Sequence, residues 1–229
     1  MRSSKWHALG NVYLLVEQAE PLTPARVREL ARETDGVLEV VGDQVTVWNP
    51  DGSTAEMSGN GARIAAAWYA RASGSPQVRF RIGARDVTAT VDGDMVTLDA
   101  GHVDVGEPET IDGILFTPVS VGNPHAVVRH DPGDVRRLGP LLETHPRFPE
   151  RTNVQLVRVD GEHDLTVAVW ERGAGETTAS GSSAIAAVAA AVASGWCTSP
   201  VTVHMPGGDL FVELDGGEAR LTGPAVELA

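Results

Sequence analysis

The sequence predicts an α+β chain of two pseudo-symmetric halves, each a mostly antiparallel sheet around a central helix. An internal repeat is the first sign of it. At an offset of 122 residues, SGNGARIAAAW (58–68) lies over SGSSAIAAVAA (180–190), and at an offset of 123, VRFRIGARDVTATVDGDMVTL (78–98) lies over VTVHMPGGDLFVELDGGEARL (201–221). The second stretch shares Asp86/Asp209, Asp92/Asp215, Gly93/Gly216 and Leu98/Leu221, with apolar residues opposite apolar ones. The order of features is the second sign. Each half runs through a Gly-Asn turn (Gly10-Asn11, Gly122-Asn123), a Ser-Gly turn, an alanine-rich helix and a strand pair.

Taken in order, Val12–Val16 reads as a strand after the first Gly-Asn turn. Pro24–Thr34 reads as a helix, with Thr23 as its N-cap and proline at the first helical position. Val45–Trp48 and Leu165–Glu171 are strands leading to the two Ser-Gly sites, and each site opens an alanine-rich helix. Asp92-Gly93 and Asp215-Gly216 sit between alternating apolar runs, which predicts two hairpins. Glycines and prolines in Ala100–Pro118 predict a hinge there. The domains expected are therefore 1–105 and 106–221, with the tail 222–229 packing back on the first. Val119–Val121 and Ala126–Val128 flank the second Gly-Asn turn as strands.

Composition narrows the function. With 31 acidic and 18 basic residues among 229, the chain carries a formal charge of −13. That charge repels phosphate backbones, so no nucleic-acid partner is expected. One cysteine excludes an intramolecular disulfide and a cysteine-rich zinc site. The longest apolar run, Ala184–Val192, is too short to span a membrane. The N-terminal MRSSKWHALGN lacks the apolar stretch of a secretory signal, so the cytoplasm is the expected compartment.

The chemistry centres on Ser58 and Ser180. Glycines beside them (Gly59-Asn60-Gly61 and Gly181-Ser182-Ser183) let backbone approach a ligand, and the first amides of each helix point outward unpaired. Such a terminus favours a carboxylate. Capping alone also explains a serine at a helix start. The polar residues nearby exceed what capping needs: Asn11, Asn49, Asn60, Asn123, Asn153, His125, Glu171 and Arg172.

HALGN, NPDGSTAEMSGNGAR, VGNPHAV, HPRFPERTNV and ERGAGETTASGSS closely resemble the signature segments of the diaminopimelate epimerase family, nearly end to end and in order. The resemblance implies two similar α/β domains with the active site in the cleft between them. It also implies a homodimer, a small diaminopimelate-like amino acid as substrate, and neither metal nor pyridoxal phosphate as cofactor. In that family the positions of Ser58 and Ser180 carry two cysteines that exchange the α-proton on opposite faces, interconverting LL- and meso-diaminopimelate in lysine and cell-wall precursor synthesis.

Carried over residue by residue, the resemblance makes Ser58, Ser180, His125 and Glu171 the catalytic set. Arg172 would hold the distal carboxylate, and Asn11, Asn49, Asn123 and Asn153 the polar ends of the substrate. The backbone of Gly59, Asn60, Gly181 and Ser182 would hold the α-carboxylate. Serine is a far weaker acid than a thiol, and three readings follow. The chain is an epimerase disarmed on purpose, or a variant in which His125 and Glu171 assist the serines as bases. Alternatively it is a relative that binds, isomerises or dehydrates another ligand. The chain is also shorter than most members, mainly before Val45, where VLEVVGDQV replaces a longer loop. Cys197 matches no catalytic position.

Overall fold

The computed structural model describes residues 2–55 and 58–228. The chain divides into two compact units, Met1–Asp99 with Thr222–Ala229, and Ala100–Leu221.

In the first unit β1 (Arg2–Ala8) turns at Leu9-Gly10 into β2 (Asn11–Glu17). Then come α1 (Pro24–Leu30), β3 (Gly36–Val41), β4 (Gln44–Trp48), β5 (Thr54–Ala55), α2 (Gly59–Ser73), β6 (Gln77–Ile82) and β7 (Arg85–Asp92). β8 (Met95–His102) carries the chain out of this unit. In the second unit follow β9 (Asp104–Val105), β10 (Glu109–Ile111), β11 (Ile114–Ser120), β12 (Pro124–Arg129), α3 (Val135–Glu143), β13 (Asn153–Gly161), β14 (Asp164–Glu171), β15 (Gly175–Thr177), α4 (Gly181–Ala193), β16 (Val201–Met205) and β17 (Gly208–Asp215). β18 (Glu218–Pro224) brings the chain back, and β19 (Val226–Leu228) pairs with β1.

The repeat is realised pairing by pairing. β1–β2 and β11–β12 are antiparallel, β2–β3 and β12–β13 parallel, and β3–β4 and β13–β14 antiparallel. β4–β6 and β14–β16 are parallel, and β6–β7 and β16–β17 close the series as antiparallel pairs. The parallel pairs arise because a helix or loop crosses over between their strands.

Two cores follow from the pleat in the first unit. Tyr13 and Leu15 of β2 face the cluster built on Ala62 and Ile64–Ala67 of α2, while Leu14 and Val16 face Val27 and Ala31 at α1. Burying both faces explains the nearly continuous apolar run of β3. In the second unit Val135, Leu138 and Leu142 of α3 pack on Ala126, Val128, Val154 and Leu156. α4 is buried at Gly181 and from Ser183 to Ala191, lying against β11 to β14, β16 and β17. Its small side chains let it sit close to the sheet.

Several sequence expectations change. The helix at Pro24 has Thr23 as its N-cap, accepting from the Arg26 amide, but ends at Leu30 rather than Thr34. The chain must leave it to reach β3, and the Asp35 amide already donates to the Val12 carbonyl. Both hairpins form, with loops one residue later than expected, at Gly93-Asp94 and Gly216-Gly217. Gly93, Gly216 and Gly217 supply the positive φ those turns require. Much of Ala100–Pro118 is strand, in the end of β8, β9, β10 and the start of β11.

α3 was not expected, because Gly139 and Pro140 interrupt its pattern. The glycine is there for space: a Cβ on Gly139 would come within 2.5 Å of Trp170 Cβ and Cγ. Gly139→Ala is therefore expected to destabilise the chain by ~1–3 kcal/mol, despite alanine's better helix propensity, read as a lower urea midpoint. An unchanged or raised midpoint would contradict this packing.

Candidate active site

Ser58 is the N-cap of α2 (φ −142°, ψ 119°), and its Oγ accepts the Gly61 amide at 3.0 Å. That contact needs glycine at 61, where a Cβ would lie 3.2 Å from Ser58 Cβ and 2.9 Å from Leu38. The same Oγ lies 3.2 Å from the Tyr13 hydroxyl. Tyr13 reaches it by lying over Gly36, its partner in β3. The Gly59 and Asn60 amides have no acceptor within the helix. The Asn60 side chain is buried between two partners: its Oδ1 accepts from Arg63 Nη2 and its Nδ2 donates to Asn11 Oδ1, each at 2.5 Å.

Asn49 serves a turn: its amide and side chain both bind Ser53, and Ser53 in turn donates to Asp51. Hydrogen bonds from Ser53 lower the Asp51 pKa.

Ser180 takes the matching N-cap conformation (φ −148°, ψ 121°) but makes no side-chain cap bond, and it is buried. Gly181 is buried and Ser182 half-buried. Ser183, one turn into α4, is sealed inside, its Oγ accepting from Gln155 Nε2 at 3.0 Å. The same Nε2 lies 3.0 Å from His125 Nδ1, and His125 Nε2 lies 3.0 Å from Asn123 Oδ1. An amide nitrogen only donates and an amide oxygen only accepts, so Nδ1 accepts, Nε2–H donates, and the ring is neutral with both nitrogens occupied. Burial, against the Gln155 bond, depresses its pKa to about 3.

Asn153 is equally engaged, donating to the Pro124 carbonyl and accepting the Arg172 amide, both at 3.0 Å. Arg172 is exposed, with one guanidinium nitrogen 3.3 Å from the Glu150 carbonyl. Burial raises the carboxyl pKa of neighbouring Glu171. Glu143 clamps this loop from α3: its carboxylate accepts Trp170 Nε1 at 2.7 Å and the Gly173 amide at 2.8 Å, bracketing Glu171 and Arg172. Burial pushes the Glu143 carboxyl up, but these bonds and Arg151 outweigh it and hold the pKa below its usual value.

A sequence-family model for diaminopimelate epimerase matches residues 117–227. The diaminopimelate epimerase of Desulfitobacterium hafniense is 36% identical, the match covering 98% of this chain and 95% of that protein. The chain belongs to the diaminopimelate epimerase family. The enzyme of that name from Pseudomonas entomophila is 34% identical over 100% of this chain and 97% of its own.

Solved structures share the fold of this diaminopimelate epimerase relative. A predicted epimerase from Pseudomonas aeruginosa superposes with a TM-score of 0.75 at 18% identity, covering 100% of this chain and 97% of that one. A phenazine biosynthesis protein of the PhzF family from Enterococcus faecalis gives 0.75 at 14%, over 99% and 96%. The 271 positions of the Desulfitobacterium match exceed the 229 residues here, so that relative carries segments this chain lacks. Before Val45 this chain has only a tight hairpin, with Val41 opposite Gln44.

Each unit gathers its own share of the residues singled out from sequence. Asn11, Ser58, Gly59 and Asn60 stand together in the first; Asn123, His125, Asn153, Glu171 and Arg172 are linked by bonds and chain adjacency in the second, which also holds Ser180, Gly181 and Ser182. Tyr13, Arg63, Gln155, Ser183, Glu39 and Glu143 were missed. One signal was available: Trp48 and Trp170 are also 122 apart, and each indole N–H ends on a buried carboxylate, Glu39 at 2.9 Å and Glu143 at 2.7 Å. Cys197 is a buried free thiol whose pKa burial raises. No cluster of His, Cys, Asp and Glu suited to a metal occurs among the described residues.

A depressed histidine pKa has a signed consequence. The unfolded chain takes up a proton on His125 below pH ~6.5, whereas the folded chain does so only near 3. The stability from burying the neutral ring is complete above pH 6.5 and is lost as pH falls through that window, at up to ~1.4 kcal/mol per unit. NMR is expected to show an Nε2–H tautomer whose ring signals do not move between pH 8 and 5. Titration near 6.5 would contradict the sealed arrangement.

Proposed function

We propose that the chain binds diaminopimelate between the two Ser-Gly helix starts, in a cleft between its two units. It interconverts the LL and meso forms by α-proton transfer, at a rate held low by its serines. The observation that carries this is the near-complete match to proteins named diaminopimelate epimerase, joined to two helix starts that each present a hydroxyl at the N-cap. In this reading Ser58 and Ser180 face opposite sides of the α-carbon. The free amides of Gly59, Asn60, Gly181 and Ser182 hold the α-carboxylate and stabilise charge developing at the reacting carbon. Arg172 takes the distal carboxylate, for which a guanidinium fork is well shaped. Asn11 and Asn123 offer side-chain amides, while Asn49 and Asn153 shape the turns around them.

The rate follows from the protonation chemistry. A thiol with a pKa of ~8.5 provides thiolate near neutrality, and a helix N-terminus lowers it further. A serine hydroxyl needs a base, and among the described residues neither serine bonds to a carboxylate or an imidazole. The His125 nitrogens are occupied by Gln155 and Asn123, so this residue orients Asn123 rather than moving a proton. Glu171, whose carboxyl pKa burial raises, is the proton carrier in this reading. A second reading, binding without turnover, is favoured by the engagement of Ser58 Oγ with Gly61 and Tyr13. The proposed setting is a cytoplasmic homodimer in lysine and cell-wall precursor synthesis, using neither metal nor pyridoxal phosphate.

Exchange of the diaminopimelate α-proton in deuterated water tests this. The double variant Ser58→Cys/Ser180→Cys is expected to exchange at least ~100-fold faster than the unmodified chain, and each single variant far less, because two-sided transfer needs both groups. No gain in the double variant would show that recognition, not acid strength, has changed. Tight binding with no exchange in the unmodified chain would favour the second reading.

A further inference from the structure

Arg63 is wholly buried in the apolar face of α2, one turn beyond Ser58. Desolvation lowers its pKa only to about 10, so it stays charged at neutral pH. A buried cation normally sits against a carboxylate. Among the described residues Arg63 has none: Nε donates to the Pro224 carbonyl at 3.3 Å, Nη2 to Asn60 Oδ1, and Nη1 has no partner.

A guanidinium only donates, and this fixes everything downstream. Asn60 must turn Oδ1 to Arg63, so its Nδ2 faces Asn11 and donates to Asn11 Oδ1. Asn11 is half-buried, and its remaining amide group, Nδ2, has no hydrogen-bond acceptor among the described residues. We propose that Arg63 is a positioning residue: acting through Asn60, it holds Asn11 with its amide donor directed to a carboxylate-bearing ligand, and adds an uncompensated positive charge behind the start of α2. The ligand part of this rests on the diaminopimelate reading above; the donor relay itself does not.

The second unit reaches a similar end by other means. There Asn123 Oδ1 is occupied by His125, whose other nitrogen meets Gln155, so again an asparagine of a Gly-Asn turn has its oxygen taken, with no partner for its Nδ2 among the described residues. No charge is spent in that chain. Arg63 therefore puts a buried positive charge into the first unit's hydrogen-bond relay, where the second unit's relay of Asn123, His125 and Gln155 has only neutral groups.

The test uses the full chain, labelled with nitrogen-15, as Arg63→Lys, Arg63→Met and Asn11→Asp. Lysine keeps a donor, so the Asn11 and Asn60 side-chain amide signals are expected to stay near their unmodified positions; in Arg63→Met both are expected to move. Calorimetry with diaminopimelate is expected to show ~10-fold or more weaker binding for Arg63→Met and Asn11→Asp, and within ~3-fold of unmodified for Arg63→Lys. Unmoved amide signals in Arg63→Met, or equal binding losses for the Lys and Met variants, would overturn the proposal. If Arg63→Met does not fold, Asn60→Asp decides. It keeps the acceptor for Arg63 but has no hydrogen for Asn11, so the Asn11 signal must move and binding must fall; an unmoved signal overturns the relay. An unmodified chain that binds no diaminopimelate, yet shows the expected amide shifts, would fell the functional reading and leave the relay standing.

Discussion

Each unit is organised around a helix whose N-terminal turn is buried or half-buried, and the amides there have to be met by something other than bulk water. That demand shapes both halves. It sets a serine at each N-cap and, in α2, a glycine at 61, where a side chain would meet Ser58 and Leu38. In α2 the demand is partly met from inside, because Ser58 takes the Gly61 amide. In α4 the Ser180 hydroxyl takes none. The two helix starts are thus alike in backbone and unlike in how much of their hydrogen bonding is left for a ligand.

The remaining polar groups are held by donors and acceptors that cannot be turned round. Asn153 lies between a carbonyl and a backbone amide, Asn60 against a guanidinium, and Trp48 and Trp170 against carboxylates. Such pairing fixes which end of each amide faces outward, and a low-dielectric surrounding makes reversal costly. Each of these polar clusters is therefore fixed within its own unit by partners that leave it one orientation.

Much of this was legible in the sequence because it recurs. Repetition at offsets of 122 and 123 marked both alanine-rich helices, both hairpins and both serines, and the Thr23-Pro24 pair marked the start of α1. What escaped was of two kinds. α3 carries Gly139 for the sake of Trp170, a tertiary reason that local pattern does not carry. Arg63, Gln155, Ser183 and Glu143 act through side chains brought together by the sheet from distant segments, and no spacing along the chain announces them. His125 was expected as an assisting base; only the partners on both its nitrogens reveal a neutral, enclosed ring.

A crystal structure of the unmodified chain with bound diaminopimelate bears most directly on the whole account. The hydroxyls of Ser58 and Ser180 are expected within contact distance of one α-carbon, on opposite faces, with its carboxylate on the amides of both helix starts. A ligand held elsewhere, or two hydroxyls on surfaces that share no bound molecule, would contradict it.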